Sequence, residues 1–369
     1  MPMTIAQVAR RAGVSTATVS RAFNSPQLLA GATLERVRDS ARALGFVPNA
    51  SARTLRTQRS RILGVVLPTL RNPVFAECLE GIAARAGEAG YAIVPLFTDY
   101  TGARERDAIA HLLARDVDGV ILTVASAARC ASLKRLRAAS LPYVLAYNRH
   151  PAQPCVSVDG EAACAQATAR LLALGHRRIA MVSGTLAASD RARQRHRGYA
   201  SAMAAAALAR AELIEVPFLE DATDALAARL TRADRPSALL CSNDLLALRS
   251  LRAATLAGLR VPDQLSIVGF DGIALGDAIA PRLSTIVQPS GAMGEACVDW
   301  LVRSLGAGAL PRPADSISLP YTLREGETCA PPARDASRRI AARPPDRSGS
   351  TPKPTRSASR NRPPERSLA

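Results

Sequence analysis

Thr4 to Asn24, TIAQVARRAGVSTATVSRAFN, is the stretch from which the rest of the chain is read. Thr4 with Gln7 three residues on has the spacing of a capping box, and Ile5, Val8, Ala9 and Ala12 then share one face at helical period. Gly13 ends this predicted helix, because the tight turn that follows needs a left-handed residue and glycine adopts it without steric cost. Val14 follows as an apolar plug, and Ser15 stands where a second helix needs a cap. In that helix Val19 and Phe23 fall on the buried side, whereas Thr16, Ala17 and Arg21 point outward. Two short helices about a Gly turn, with small polar and basic residues exposed at the start of the second, read as a helix-turn-helix.

The segment resembles the DNA-binding head of the LacI/GalR family of transcriptional repressors, whose heads read T-I-x-x-V-A-x-x-A-G-V-S-x-x-T-V-S-R-x-x-N; nearly every fixed position is present. The resemblance implies that Thr16, Ala17 and Arg21 face base edges in the major groove. Ser15, Thr18 and Asn24 then lie near phosphate, and Thr4 belongs to the same DNA-binding set. Arg21 is the strongest candidate, since a guanidinium bidentate to guanine is worth about 1–3 kcal/mol of discrimination. Ala17 offers only a methyl. A homodimer would present two such helices to a near-palindromic operator in double-stranded DNA.

Charge supports a polyanionic partner. Of a net +17, residues 1–61 carry ten Arg against two acids, and residues 330–369 carry nine Arg and one Lys against three acids. The body between them is nearly neutral, so basic character sits at the two ends, as phosphate contacts demand. No run of eighteen apolar residues is present for a membrane span, and the first residues lack the apolar core of a signal peptide, so a cytoplasmic protein is expected. The seven Cys (78, 130, 155, 164, 241, 297 and 329) form no C-x-x-C pair and have no His at ligand spacing. Reduced thiols, no metal and no cofactor are expected. An enzyme would need a nucleophile elbow, a Gly-rich phosphate loop or an H-E-x-x-H motif, and none occurs.

After the head, Leu34, Val37, Ala41 and Leu44 predict a third helix. Its capping position holds Ala30 rather than Ser or Thr, an absence worth about 1 kcal/mol. Residues 50–56, ASARTLR, are too few for a helix stable by itself. In the resembled family this is a hinge helix that orders on the operator; Leu55 matches the Leu that wedges into the minor groove, and Arg53 and Arg56 flank it as phosphate contacts.

From Arg61 strands alternate with helices, the pattern of parallel sheets covered on both faces. Strands are predicted at 62–68, 92–97, 119–124 and 142–147, then at 178–183, 214–218, 237–242 and 265–270. Helices are predicted at 73–89, 103–114, 130–139, 160–174, 191–209, 221–233 and 244–257. Two successive wound series imply two lobes with a cleft between them. LGHRRIAMVSG (174–184), RHRGY (195–199), CSND (241–244), GLRVPDQLSIVGFDG (258–272) and LSTIVQP (283–289) resemble the type I periplasmic sugar-binding fold that the family uses as its effector domain. That resemblance implies three crossovers between lobes, one near residues 285–289.

The expected organisation is α/β: a three-helix head at 1–48, a hinge segment at 49–60, a two-lobed periplasmic-binding-protein-like body at 61–329, and a disordered basic tail at 330–369, rich in Pro, Ser and Arg. No C-terminal Leu heptad is visible, which favours a dimer over a tetramer.

Strand ends facing such a cleft bind ligands. By match to the family, Arg195 and Asp271 are its most consistent ligand contacts, and together they suit vicinal hydroxyls, or the Arg alone an acid group. Asn243 is a candidate ligand contact. Asp244 either joins it or caps the following helix, and Phe218 either stacks on a ligand ring or serves the core. Phe75, Tyr147 and Asn148 are further candidates. Tyr147-Asn148 and Asp271-Gly272 depart from the family's usual Asp-Arg and Asp-Asp, so no one relative's ligand transfers. The expected function is a repressor switched by a small sugar or sugar acid; the competing one is a solute-binding protein without a role at DNA.

Overall fold

The computed structural model describes residues 3–46, 59–207, 211–218 and 220–332. Arg53, Leu55 and Arg56, most of the expected hinge segment, and the tail from residue 333 lie outside the described residues.

In the head, α1 (Ile5–Ala12) starts at Thr4, where Gln7 Oε1 accepts from both the Thr4 backbone N–H (2.7 Å) and its hydroxyl (3.0 Å). Gly13, at φ 62°, ends it. Ser15 caps α2 (Thr16–Asn24), its hydroxyl accepting from Thr18 N at 3.1 Å. The third helix, α3 (Gly31–Ala43), begins at Ala30 with no side-chain cap, as the sequence predicts. Val8, Ala9, Ala12, Val19, Ala22, Val37 and Ala41 form the small core, with Phe23 and Phe46 packed at its edge, ring centroids 5.8 Å apart. Ile5, expected on the apolar face, is 38% exposed, because the first turn of α1 projects beyond that core.

The body is two six-stranded sheets. The first has order β11-β5-β4-β3-β1-β2 and the second β12-β10-β9-β8-β6-β7. In the first lobe, β1 (Ile62–Leu67), β2 (Ala92–Phe97), β3 (Gly119–Leu122), β4 (Tyr143–Ala146), β5 (Cys155–Ser157) and β11 (Ile317–Ser318) pair in parallel. Helices α4 (Pro73–Glu88), α5 (Gly102–Leu113), α6 (Ala131–Ala138) and α11 (Ser290–Ala307) cover it. In the second lobe, β6 (Ile179–Ser183), β7 (Glu212–Glu215), β8 (Ala238–Cys241), β9 (Ser266–Asp271) and β10 (Ser284–Val287) are parallel, and β12 (Thr322–Arg324) closes the edge antiparallel. Its helices are α7 (Gly160–Ala173), α8 (Asp190–Ala205), α9 (Thr223–Leu230) and α10 (Asp244–Leu256).

Strand order repeats between the lobes, each wound outward from its first strand. β1, β3 and β4 are buried almost throughout, as continuous apolar runs covered on both faces must be. The chain crosses between lobes after β5, after β10 and between β11 and β12. At the start of the body Asp118, buried, accepts from Ser60 N (2.8 Å), Ser60 Oγ (2.9 Å) and Arg61 N (3.1 Å). The first lobe thereby grips the chain where it leaves the linker.

Several elements differ from expectation. α11 and the short strands β5, β10, β11 and β12 were not foreseen, and β7 runs over 212–215 rather than 214–218, because Pro217 has no N–H to offer a ladder and β7 ends before it.

Candidate functional site

Two sites emerge. On the head, Thr16, Ala17 and Arg21 are exposed on α2, and Ser15 and Asn24 are exposed at its two ends. Ser15 and Thr18 share a hydroxyl contact of 2.9 Å, which fixes both at the helix start, and Asn24 Nδ2 donates to Ser20 O at 2.6 Å. The first turn of α2 carries no acid to offset its positive end, so the backbone N–H groups there suit phosphate oxygens.

In the body, a cavity of about 270 Å³ opens where the carboxyl ends of both sheets face each other. Its floor is Asp271, the last residue of β9, buried to 2%. Asp271 Oδ2 accepts from Asn72 Nδ2 at 3.0 Å and Oδ1 from Gln288 Nε2 at 2.7 Å, while Arg195 Nη2 lies 3.5 Å from Oδ1. Arg195 also donates to Ser242 O, and its guanidinium lies over the Phe270 ring, 3.6 Å from the centroid. Burial pushes the Asp271 carboxyl up and the Arg195 guanidinium down, each toward its neutral form, and each charge opposes the shift of the other. The result is a largely buried, hydrogen-bonded floor with donors and acceptors at one end of the cavity.

Asp271 adopts φ 120°, a conformation costing about 1–3 kcal/mol in a non-glycine residue unless its surroundings hold it. Asp244 supplies that hold. Its Oδ2 accepts from Gly272 N (2.7 Å) and Ile273 N (2.8 Å), and its Oδ1 accepts from Thr285 Oγ1 at 2.5 Å. The motif IVGFDG is explained by this packing, since a Cβ at Gly269 would collide with the Asp244 carboxylate.

Aromatic rings form the walls. Phe75 and Tyr147 of the first lobe meet edge to face at 5.3 Å, with the Tyr147 hydroxyl donating to Val74 O at 2.8 Å. Tyr100 of the first lobe meets Phe218 of the second at 5.6 Å, so this pair bridges the cleft. Burial pushes the Tyr100 hydroxyl up to about 12.

Of the sequence-predicted cleft residues, Arg195, Asp271, Asn243, Phe218, Phe75 and Tyr147 line this cavity. Asn243 serves as the N-cap of α10, its Oδ1 accepting from Leu246 N at 2.9 Å. The capping considered for Asp244 therefore falls to Asn243, and Asp244, fully buried, does not line the cavity. Asn148 does not line it either: it is buried behind the wall, bonded to Val124 N and O and to Asp190 Oδ1. Sequence reasoning missed Asn72, Tyr100, Arg191 and Gln288, all of which line the cavity. The four-residue spacing of Arg191 and Arg195 in DRARQRH was a usable sign, because it puts both on one helix face. No comparable local pattern marks the other three.

A helix-turn-helix head together with a two-lobed body enclosing a cleft is the architecture of a DNA-binding regulator with an effector-binding domain. Residues 4–49 match the model of bacterial regulatory proteins of the lacI family, and residues 168–329 match a periplasmic binding protein-like domain. The HTH-type transcriptional regulator DegA of Bacillus subtilis is 31% identical over 300 residues, 80% of this chain and 89% of that protein. The lac repressor dimer bound to operator and the anti-inducer ONPF superposes with a TM-score of 0.79 at 27% identity, over 89% of this chain and all of that one. A complex of the transcriptional regulator CelR with cellobiose superposes at 0.65 with 26% identity, over 88% of this chain and 99% of that one. The chain belongs to the LacI family of bacterial regulatory proteins, a family of sequence-specific DNA-binding regulators with an effector-binding domain. These relatives are transcriptional regulators and not enzymes. Among the described residues no helix is long and apolar enough to cross a membrane.

Proposed function

We propose that this protein is a cytoplasmic repressor that binds a near-palindromic operator as a homodimer and is switched by a small sugar or sugar acid in the interlobe cleft. The observation that carries the proposal is the Arg195–Asp271 floor, completed from the first lobe by Asn72 and closed over by rings from both lobes. A ligand there touches both lobes at once, so its binding energy depends on how closely they approach. The cavity lies at the small end of ligand sites, which suits a compact hydroxylated molecule.

On DNA, Arg21 reads a base while Thr16 and Ala17 set the fit beside it, with Thr4, Ser15, Thr18 and Asn24 near the backbone. Arg53, Leu55 and Arg56 act in the 49–60 hinge between the 1–48 head and the 61–329 body, by resemblance to the family. Lobe closure alters the separation of the paired first lobes and hence the ability of two hinges to order together, which is linkage between two sites through a bistable element.

A thermal-shift screen over sugars and sugar acids tests the cleft, because a ligand at about 100 times its dissociation constant adds roughly 2.7 kcal/mol. Arg195→Ala removes the hit, and a shift that survives it refutes the site. A gel-shift titration with the same ligand then reads the direction of the switch, release marking an inducer and tightening a corepressor. A solute-binding protein without a role at DNA would leave every operator candidate unshifted.

A further inference from the structure

Two arginines, Arg191 buried and Arg195 nearly so, stand one helical turn apart on α8 and both line the cavity, yet neither has a carboxylate to itself. Arg195 donates to the Ser242 carbonyl, and the Asp271 oxygens beside it already accept from Gln288 and Asn72. Arg191, with a side chain 9% exposed, donates through Nη1 to Val124 O at 2.9 Å. Its nearest carboxylate oxygen, Asp190 Oδ1, lies 3.8 Å away, beyond hydrogen-bond range. The Asp190 oxygens are engaged by Asn148 Nδ2 at 2.7 Å and Ala127 N at 3.0 Å. Among the described residues, Val124 O is the only hydrogen-bond acceptor that Arg191 has.

A guanidinium carries five N–H donors in a planar fork, and a buried one normally faces a carboxylate that uses them. Arg191 is instead clamped by one neutral carbonyl from the opposite lobe, with most of its fork unspent in a wall of the cavity. The other charged residues of the lining do not supply the missing anion: Asp99 is paired with Arg104, and Glu220 is exposed. Burial lowers the basicity of Arg195 and the Asp271 charge opposes it; the like charge of Arg191 adds a smaller lowering, a repulsion that an anion between the lobes relieves.

Taking the cleft as the effector site, as proposed above, we infer that the effector is an anion, a small hydroxylated molecule whose carboxylate or phosphate is received by Arg191. Arg195 and Asp271 then hold hydroxyls, and Arg191 is the residue that separates an acid from its neutral counterpart. The division of labour is chemical: the Arg195–Asp271 pair presents donors and acceptors together, whereas the Arg191 fork presents donors alone.

The test uses the full chain and matched probes: gluconate against glucitol, galacturonate against galactose, glucose 6-phosphate against glucose, and ribose 5-phosphate against ribose, by titration calorimetry. At least one acid binds more tightly than its neutral counterpart by roughly tenfold or more, the scale of one charge-assisted contact. The carboxylate and phosphate arms show which oxyanion is taken. Arg191→Gln, which can still donate to Val124 O, abolishes the preference, and Arg191→Lys, which keeps the charge, restores most of it. The inference is overturned if neutral members bind as tightly as acids, if no acid binds, or if Arg191→Gln keeps the preference. The cleft assignment fails separately, if binding is indifferent to Arg195→Ala and Phe218→Ala. A neutral sugar whose binding those two variants abolish overturns the anion while leaving the cleft intact.

Discussion

Asn72 and Asp271, 199 residues apart in sequence, meet across the cleft: the amide of one lobe donates to the carboxylate of the other at 3.0 Å, with both side chains buried. This bond belongs to a particular approach of the two lobes. Asn72→Ala leaves Asp271 Oδ2 without that donor, which costs about 1–3 kcal/mol. Urea unfolding should register the loss, and small-angle scattering should show the unliganded body more open. Unchanged stability and an unchanged scattering profile would refute the bond's role in lobe approach.

Asp244 should make stability depend on pH with an unusual sign. Burial, and then the nearby Asp271 charge, raises its carboxyl from 3.8 to about 7. The folded state therefore holds a proton that the unfolded chain has released between those values. Stability contributed by the protonated form falls as pH climbs through the window, by at most about 1.4 kcal/mol per pH unit. Asp244→Asn can keep the pattern, with its Oδ1 accepting from Gly272 and Ile273 and its amide donating to Thr285. Melting temperatures from pH 4 to 8 should fall less steeply for this variant than for the parent; parallel curves would show that Asp244 does not titrate there.

Gly198 sets the spacing on which the arginines depend. α7 and α8 pack so closely that a Cβ at Gly198 would collide with the Glu161 carbonyl. Gly198→Ala should cost about 1–3 kcal/mol through overpacking. It should also weaken effector binding, because displacing α8 moves Arg191 and Arg195 together. A variant that is destabilised but binds with full affinity would show that the helix does not carry the site.

Arg21→Ala should relax base preference at one symmetric pair of operator positions, losing about 1–3 kcal/mol of discrimination there. Binding-site selection from randomised DNA measures this. Uniform weakening across all sequences would make Arg21 a phosphate contact.

The head was legible almost residue by residue, since its capping, turn and apolar period all lie within twenty-one consecutive positions. The alternation of strands and helices carried most of the body for the same reason. α11 escaped even though Met293, Cys297, Trp300, Leu301 and Ser304 recur on its buried face, because Gly291 and Gly294 in its first turns weaken the local preference for helix. β5, β11 and β12 have two or three residues each, too few for any period, and they exist only through partners remote in sequence. The cleft divides likewise. Arg195 and Asp271 stand in recognisable phrases, whereas Asn72, Tyr100 and Gln288 arrive from three distant segments. Asn243 and Asp244 were adjacent letters of one phrase, and only their folded partners decide that the first caps α10 at the cavity while the second braces the loop behind it.

The first turns of α8 are bound to the opposite lobe, Asp190 to Ala125, Ala127 and Asn148, Arg191 to Val124 and Gln194 to Arg149, while the helix packs within the second lobe. Recognition and resting posture consequently share atoms. Any substitution that retunes Arg191 toward a different ligand also shifts the balance between open and closed body before a ligand arrives, altering basal gene expression alongside specificity. Descendants that change effector through this helix should need a second, compensating change on the 124–127 loop or at Asn148, so the two segments are expected to vary together.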